Sequence, residues 1–240
     1  MELTECIMNR SSKRDFKNIP VPKDLLIKLI ETSSHAPSWA NSQPWKVAVS
    51  TGKTSEFIKG KIYKLARDGS QGSPDFPFPE FWPEEQSKNI FETGKQRYEF
   101  LGISRDDEEK RREISLNNYL FFGSETAIFV YMNEKLGHWS TLDCGMFVQN
   151  ILLTAHDLGL GACPQAYLIR YPDILREAFN LGNSEKFINW RGTAVKEVLI
   201  FLFRNSGRRN SLKIFSKLES KDMNFSAFQG TTKRKGEKYR

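Results

Sequence analysis

The sequence predicts an α+β domain, and three observations carry that prediction. Segments 23–34 and 139–158 set apolar residues at helical spacing. Short runs rich in β-branched and aromatic residues, at 46–50, 127–131 and 198–203, read as strands. The 240 residues, with 18 Phe and 5 Trp, suffice for one substantial core.

In chain order, residues 1–16 predict a helix entering a turn. Thr4 is its expected cap, and Ile7 and Met8 supply apolar contacts. Arg10, Ser11, Ser12 and Arg14 then place two guanidinium forks and two hydroxyls within five residues. Arginine forks bind phosphate oxygens bidentately and stay charged, although a solvated basic turn has the same composition. Pro20-Val21-Pro22 interrupts the chain. Leu25, Leu26, Leu29 and Ile30 make the next helix amphipathic.

That helix leads into Ala36-Pro37-Ser38-Trp39-Ala40-Asn41-Ser42-Gln43-Pro44-Trp45. Two prolines exclude regular helix and central strand. Ser38, Asn41, Ser42 and Gln43 can each donate and accept hydrogen bonds. Such a turn between packed elements can present polar groups to a planar ligand, or it can simply cap itself. Lys46 to Ser50 follows as a buried strand, with a turn at 51–53 and helical character from Glu56 to Ala66.

Residues 68–87 change character. Pro74, Pro77, Pro79 and Pro83 alternate with Phe76, Phe78, Phe81 and Trp82, which excludes helix and central strand. The segment is either an aromatic-anchored surface excursion or a wall over a flat apolar substrate. Residues 104–117 predict a mixed-charge, exposed helix. Residues 139–158 give the strongest helix, buried centrally or at an interface, with Asp143 and Gln149 as polar exceptions. Gly159 suits its left-handed cap. Residues 162–166 form a short strand, and Pro172 opens a short helix to Phe179.

Composition excludes other classes. No run approaches the ~20 apolar residues of a membrane span, and the start of the chain lacks a signal-peptide pattern. A cytoplasmic protein is expected. Cys6, Cys144 and Cys163 are scattered, which argues against a disulfide framework. With His35, His138 and His156 they show no metal-ligand spacing, so no metal is expected. A net charge of +7 includes the basic tail 231–240, expected to be solvated; no nucleic-acid-binding signature accompanies it.

The turn 36–45 resembles the signature turn of the flavin-dependent nitroreductase family. Arg10-Ser11-Ser12-Lys13-Arg14-Asp15-Phe16 is similar to the Arg-Ser-x-Arg element that precedes it there. The excursion, with Tyr98–Asp106 and Asn118–Gly123, resembles the subgroup containing nitrobenzoate reductases. The resemblance implies a mixed central sheet flanked by helices in an intertwined homodimer, with flavin mononucleotide (FMN) at the subunit interface. Arg10, Ser11 and Ser12 would hold the phosphate. Arg14 would lie near the pyrimidine edge and stabilise the reduced flavin.

Pro37, Ser38, Asn41 and Gln43 would reach the flavin from the other subunit. Asn118, or its neighbour Asn117, would face the ribityl chain. Pro164, Gln165 and Ala166, in Gly159-Leu160-Gly161-Ala162-Cys163-Pro164-Gln165, would lie beside N5. Gln149 is either a flavin contact or a core hydrogen bond. Arg208, with Arg204 and Arg209 as alternatives, would complete the phosphate site.

The expected reaction is ping-pong reduction of a nitroaromatic or similar flat acceptor by NAD(P)H. The flavin, not a protein nucleophile, would carry the chemistry. The domain is expected over 1–230, with 68–125 as the lid-like part. The resemblance departs over 181–230, where the family's Gly-Tyr-Pro element is absent. A flavin-binding protein with impaired activity is the alternative expectation.

Overall fold

The computed structural model describes residues 1–188 except 18 and 77, and the backbone of 200–201. Five strands form one sheet: β1 (Lys46–Ser50), β2 (Ala127–Asn133), β3 (Cys163–Pro164), β4 (Glu185–Phe187) and β5 (Ile200–Phe201). Its order is β1-β2-β5-β3, with β4 also pairing on β2. These four pairings are antiparallel. A parallel component comes from the bridge between Ser12 and Ala162.

β2 is the centre. Residues 127 to 132 are all buried, as expected for a strand covered on both faces. Its period-two alternation sends Ile128, Val130 and Met132 into one core and Ala127, Phe129 and Tyr131 into the other. The first core is closed by α2 (Lys23–Ser33) and α6 (His138–Asp157), the second by α3 (Gly52–Arg67) and α7 (Pro172–Phe179). Trp45 stacks on Phe147 of α6 with centroids 4.9 Å apart and planes 3° from parallel. This contact ties the end of the signature turn to the central helix.

Several boundaries differ from the sequence expectation. Thr4 lies inside α1 (Leu3–Asn9) and does not cap it; Glu2 occupies the cap position without a side-chain hydrogen bond. α3 starts at Gly52, so the expected turn at 51–53 is already its first turn. The aromatic excursion ends at Pro83, and α4 (Glu84–Phe100) begins at once. Residues 84–87, expected from the sequence to be non-helical, form the first turn of α4 because the last proline, Pro83, precedes it; the rest of α4 was not anticipated, since it has no buried residue and hence no apolar stripe to read. α5 (Glu108–Leu116) is the mixed-charge helix, capped by Asp107, whose side chain accepts the Lys110 N–H.

The start of the excursion is clasped to the body. Asp75 and Arg176 form a buried ion pair, with side chains 6% and 8% exposed. The second Asp75 oxygen accepts the Phe187 N–H at 3.0 Å, and Arg176 Nε donates to the Glu185 carbonyl at 3.2 Å. Both charges are therefore compensated by hydrogen bonds as well as by each other. Tyr171 Oη donates to the Ser70 carbonyl at 2.8 Å, and the Ser73 N–H donates to the Arg170 carbonyl at 2.7 Å.

Candidate functional site

Two of the sequence-predicted segments meet. After α1, Arg10 turns to extended backbone, and the strip 11–14 runs along the segment after α6. The Lys13 N–H donates to the Ala162 carbonyl at 3.1 Å. Gly159, at φ +76°, reverses the chain there, and Leu160 N–H closes the cap on the Ala155 carbonyl at 2.8 Å. The Arg10–Arg14 strip and Pro164-Gln165-Ala166 thus share one protomer.

The side chains along this seam include unsatisfied polar groups. Gln165 is 3% exposed, yet neither its Nε2 nor its Oε1 has a hydrogen-bond partner. Arg10 Nη1 is likewise out of solvent without an acceptor. A buried orphan polar atom costs ~1–3 kcal/mol, so three of them around one seam point to a missing ligand. Ser11, Lys13 and Arg14 are exposed and Ser12 is half-buried. Lys13 Nζ donates to Ser11 Oγ at 2.7 Å, which adds a third cation that sequence reasoning had not singled out.

The signature turn is strained. Ala40, Asn41 and Gln43 all have positive φ, at 48°, 57° and 45°. Non-glycine residues in that region cost of order 1–3 kcal/mol each and cluster at ligand-binding sites. The strain is offset by hydrogen bonds inside the turn. Gln43 N–H donates to Ser38 Oγ at 3.0 Å, Gln43 Nε2 to Asn41 Oδ1 at 3.1 Å, and Asn41 N–H to the Ser38 carbonyl at 3.0 Å. Asp143, buried in α6, accepts the Trp39 N–H at 3.1 Å. The turn's hydrogen bonds run to itself and to α6; among the described residues none reaches 10–14.

The remaining predicted residues are scattered. Pro37, at the start of the turn, is exposed. Asn118 is buried and donates to the Ser115 carbonyl at 2.7 Å, while Asn117 is exposed. Gln149 lies on the outer face of α6, exposed in this protomer, so it is not an intramolecular core hydrogen bond. That face carries Trp139, Leu142, Met146, Gln149 and Leu153, spaced three and four apart; Trp139 is 66% exposed and meets Trp39 edge-on at 6.3 Å. Arg208 and its alternatives Arg204 and Arg209 lie outside the described residues, as does the tail 231–240.

A further residue comes from the excursion. Arg97 on α4 is half-buried, and burial, followed by the positive charge of Arg14, pushes its pKa below the usual arginine value. The carboxyl end of α4 is therefore close enough to the Arg10–Arg14 strip for the two charges to repel. No sequence signal marked it, because α4 itself carries no periodic pattern. All three cysteines are buried, and burial raises the thiol pKa values of Cys6 and Cys144. Neither is set up as a thiolate nucleophile. Among the described residues no group of three or more His, Cys, Asp or Glu could hold a metal ion.

A sequence profile described as Nitroreductase family matches residues 7–190. The chain belongs to the nitroreductase family. Among curated proteins it is similar to the 4-nitrobenzoate reductase of Pseudomonas putida. The two are 26% identical over 182 residues, covering 76% of this chain and 80% of the relative. The nitrobenzene nitroreductase of Ectopseudomonas oleovorans is 29% identical over 189 residues, with 78% and 83% covered. Among solved structures, the FMN- and NADPH-dependent nitroreductase NfnB from Sphigopyxis sp. strain HMH superposes with a TM-score of 0.76 at 26% identity. That superposition covers 85% of this chain and 88% of the other. The nitroreductase match ends within residues 181–230, at residue 190, where the sequence was expected to depart from the family.

Proposed function

We propose that this nitroreductase-family chain is an FMN-dependent NAD(P)H oxidoreductase that reduces nitroaromatic or similar flat, electron-poor acceptors by a ping-pong route. One observation carries the reading: the buried, partnerless Gln165 amide and the partnerless Nη1 of half-buried Arg10 lie on two strips joined at the Ser12–Ala162 bridge. An amide that needs both a donor and an acceptor suits the polar edge of a flavin. A guanidinium flanked by Ser11, Ser12 and Lys13 suits its phosphate. The residues present therefore fit FMN. Bound FMN would supply the redox chemistry, accepting hydride from the nicotinamide and passing it to the acceptor.

The chain's own residues bind and orient. Arg10, Ser11 and Ser12 hold the phosphate. Arg14, with Arg97 nearby, would surround a bound flavin ring with positive charge. Pro164, Gln165 and Ala166 wall the reactive edge, and Ser38, Asn41 and Gln43 present polar groups from a rigid turn. The α6 face bearing Trp139, Leu142 and Met146 is an expected dimer seam, continuous with exposed Trp39. Two-fold packing there would carry the turn of one protomer toward the strip of its partner. The excursion at 68–125 would form the lid.

The similar proteins support the acceptor class by their names, a 4-nitrobenzoate reductase and a nitrobenzene nitroreductase. The deciding experiment is the visible spectrum of purified protein with FMN, before and after anaerobic NADPH. The expected result is a yellow protein that bleaches and recovers on adding a nitroaromatic, with FMN affinity reduced at least tenfold in Gln165→Ala. A protein that takes up no FMN would sink the reading. Uptake without bleaching would favour the impaired-enzyme alternative.

A further inference from the structure

A cavity of about 620 Å³ lies between α4 and α5. That falls within the ~300–1,000 Å³ of small-molecule sites. Its apolar lining comes from Ile90, Phe91, Tyr98 and Ile103, and its polar lining includes Arg105 and Arg111. Lys95 and Glu99 also line it and pair with each other at 3.9 Å, which cancels their charges. Neither Arg105 nor Arg111 has a carboxylate within ion-pair distance among the described residues.

Both guanidiniums are fixed by the walls. Arg105 lies over the Phe91 ring at 5.4 Å, and Arg111 over the Tyr98 ring at 4.8 Å. Arg111 Nη1 donates to the Arg105 carbonyl at 2.9 Å. This leaves the Nε–Nη2 edge, the side of a guanidinium that takes a carboxylate with two parallel hydrogen bonds. Arg111 Nε is out of solvent and has no acceptor. An apolar slot with a preorganised, unpaired cation is complementary to a flat apolar molecule bearing one negative charge.

We propose that the α4–α5 cavity is a binding site for an aromatic carboxylate, with the ring between Phe91 and Ile103 and the carboxylate on the Arg111 Nε–Nη2 edge. The site lies within 68–125, the segment proposed above as the lid, but it uses none of the residues proposed to hold the flavin, so its test can fail or succeed separately from the redox reading.

The test uses benzoate, which cannot be reduced, and its neutral isostere benzamide. Each is titrated calorimetrically into the full-length protein. Benzoate should bind at least tenfold more tightly than benzamide. Arg111→Met, which keeps the packing over Tyr98 but loses the fork, should remove that preference. Phe91→Ala should weaken both probes. Far-UV circular dichroism and FMN content, unchanged in both variants, separate a lost site from a lost fold. Absence of benzoate binding, or a preference that survives Arg111→Met, overturns the proposal. A colourless protein that still prefers benzoate would leave this site standing and remove the flavin reading alone.

Discussion

The buried Asp143 carboxylate accepts the backbone N–H of Trp39 at 3.1 Å, across 104 residues of sequence. It fastens the strained turn to the central helix. A hydrogen bond to a charged group contributes ~1.5–3 kcal/mol, comparable to the strain of one or two positive-φ residues in the turn. Asp143→Ala should therefore lower stability by about that amount and loosen Ser38, Asn41 and Gln43 together. Asp143→Asn, which keeps a neutral acceptor, should fall between. Thermal unfolding with and without FMN reads the first effect, and FMN retention on gel filtration the second. An alanine variant with wild-type values for both would show that the turn holds itself.

The Asp75–Arg176 pair makes a second long-range clasp. Removing one partner of a buried ion pair leaves an uncompensated charge and costs about 3–5 kcal/mol. Arg176→Ala should show that loss in urea unfolding, because among the described residues Asp75 then keeps the Phe187 N–H and a lysine 3.7 Å away. The double variant Asp75→Leu/Arg176→Met should be less damaged than Arg176→Ala. If the double variant is the worse of the two, the pair is a net stabiliser in its own right.

The sequence made the core elements legible where one physical signal dominates. β1 and β2 are short runs rich in β-branched and aromatic residues, α2 and α6 carry a helical apolar pattern, and α7 opens at Pro172; each appears within a few residues of its expected span. The turn 36–45 was legible from its prolines and side-chain polarity. α4 was not, because a helix that buries nothing has no pattern to show. Asp143 was visible only as an exception to an apolar helix; its partner is a backbone amide, which no sequence displays. Arg97 and the Asp75–Arg176 clasp depend on where the excursion folds back. That is a property of tertiary contact and not of any local motif.

Gly72 gives a sharp test of that fold-back. Its φ is +68°, and a Cβ added there would lie 2.2 Å from the Arg170 carbonyl oxygen, which is backbone and cannot yield. The same carbonyl accepts the Ser73 N–H. Gly72→Ala should cost at least the ~1–3 kcal/mol of a strained backbone and break that contact. Limited proteolysis should then cut within 68–83 at least several-fold faster than in the wild type, while the far-UV spectrum stays the same. Unchanged protection would mean that the loop is held elsewhere.

Tyr131 should contribute to the loss of stability at alkaline pH. It is buried in the centre of β2, and burial, with a smaller contribution from the Glu185 charge, pushes its pKa up to about 12. In the unfolded chain a tyrosine titrates near 10. Between those values the unfolded state has lost the phenolic proton while the folded state keeps it, so the folded state binds more protons. Stability must then fall as pH rises through that window, and the contribution is fully present only below about pH 10. Burial raises Tyr119 in the same direction, so it adds to the fall. Tyr131→Phe removes the titrating group with little change of shape. Its urea midpoint should decline less steeply than the wild type's between about pH 10 and 12, with no difference in slope from pH 7 to 9. Parallel curves across the whole range would place the alkaline transition on other groups.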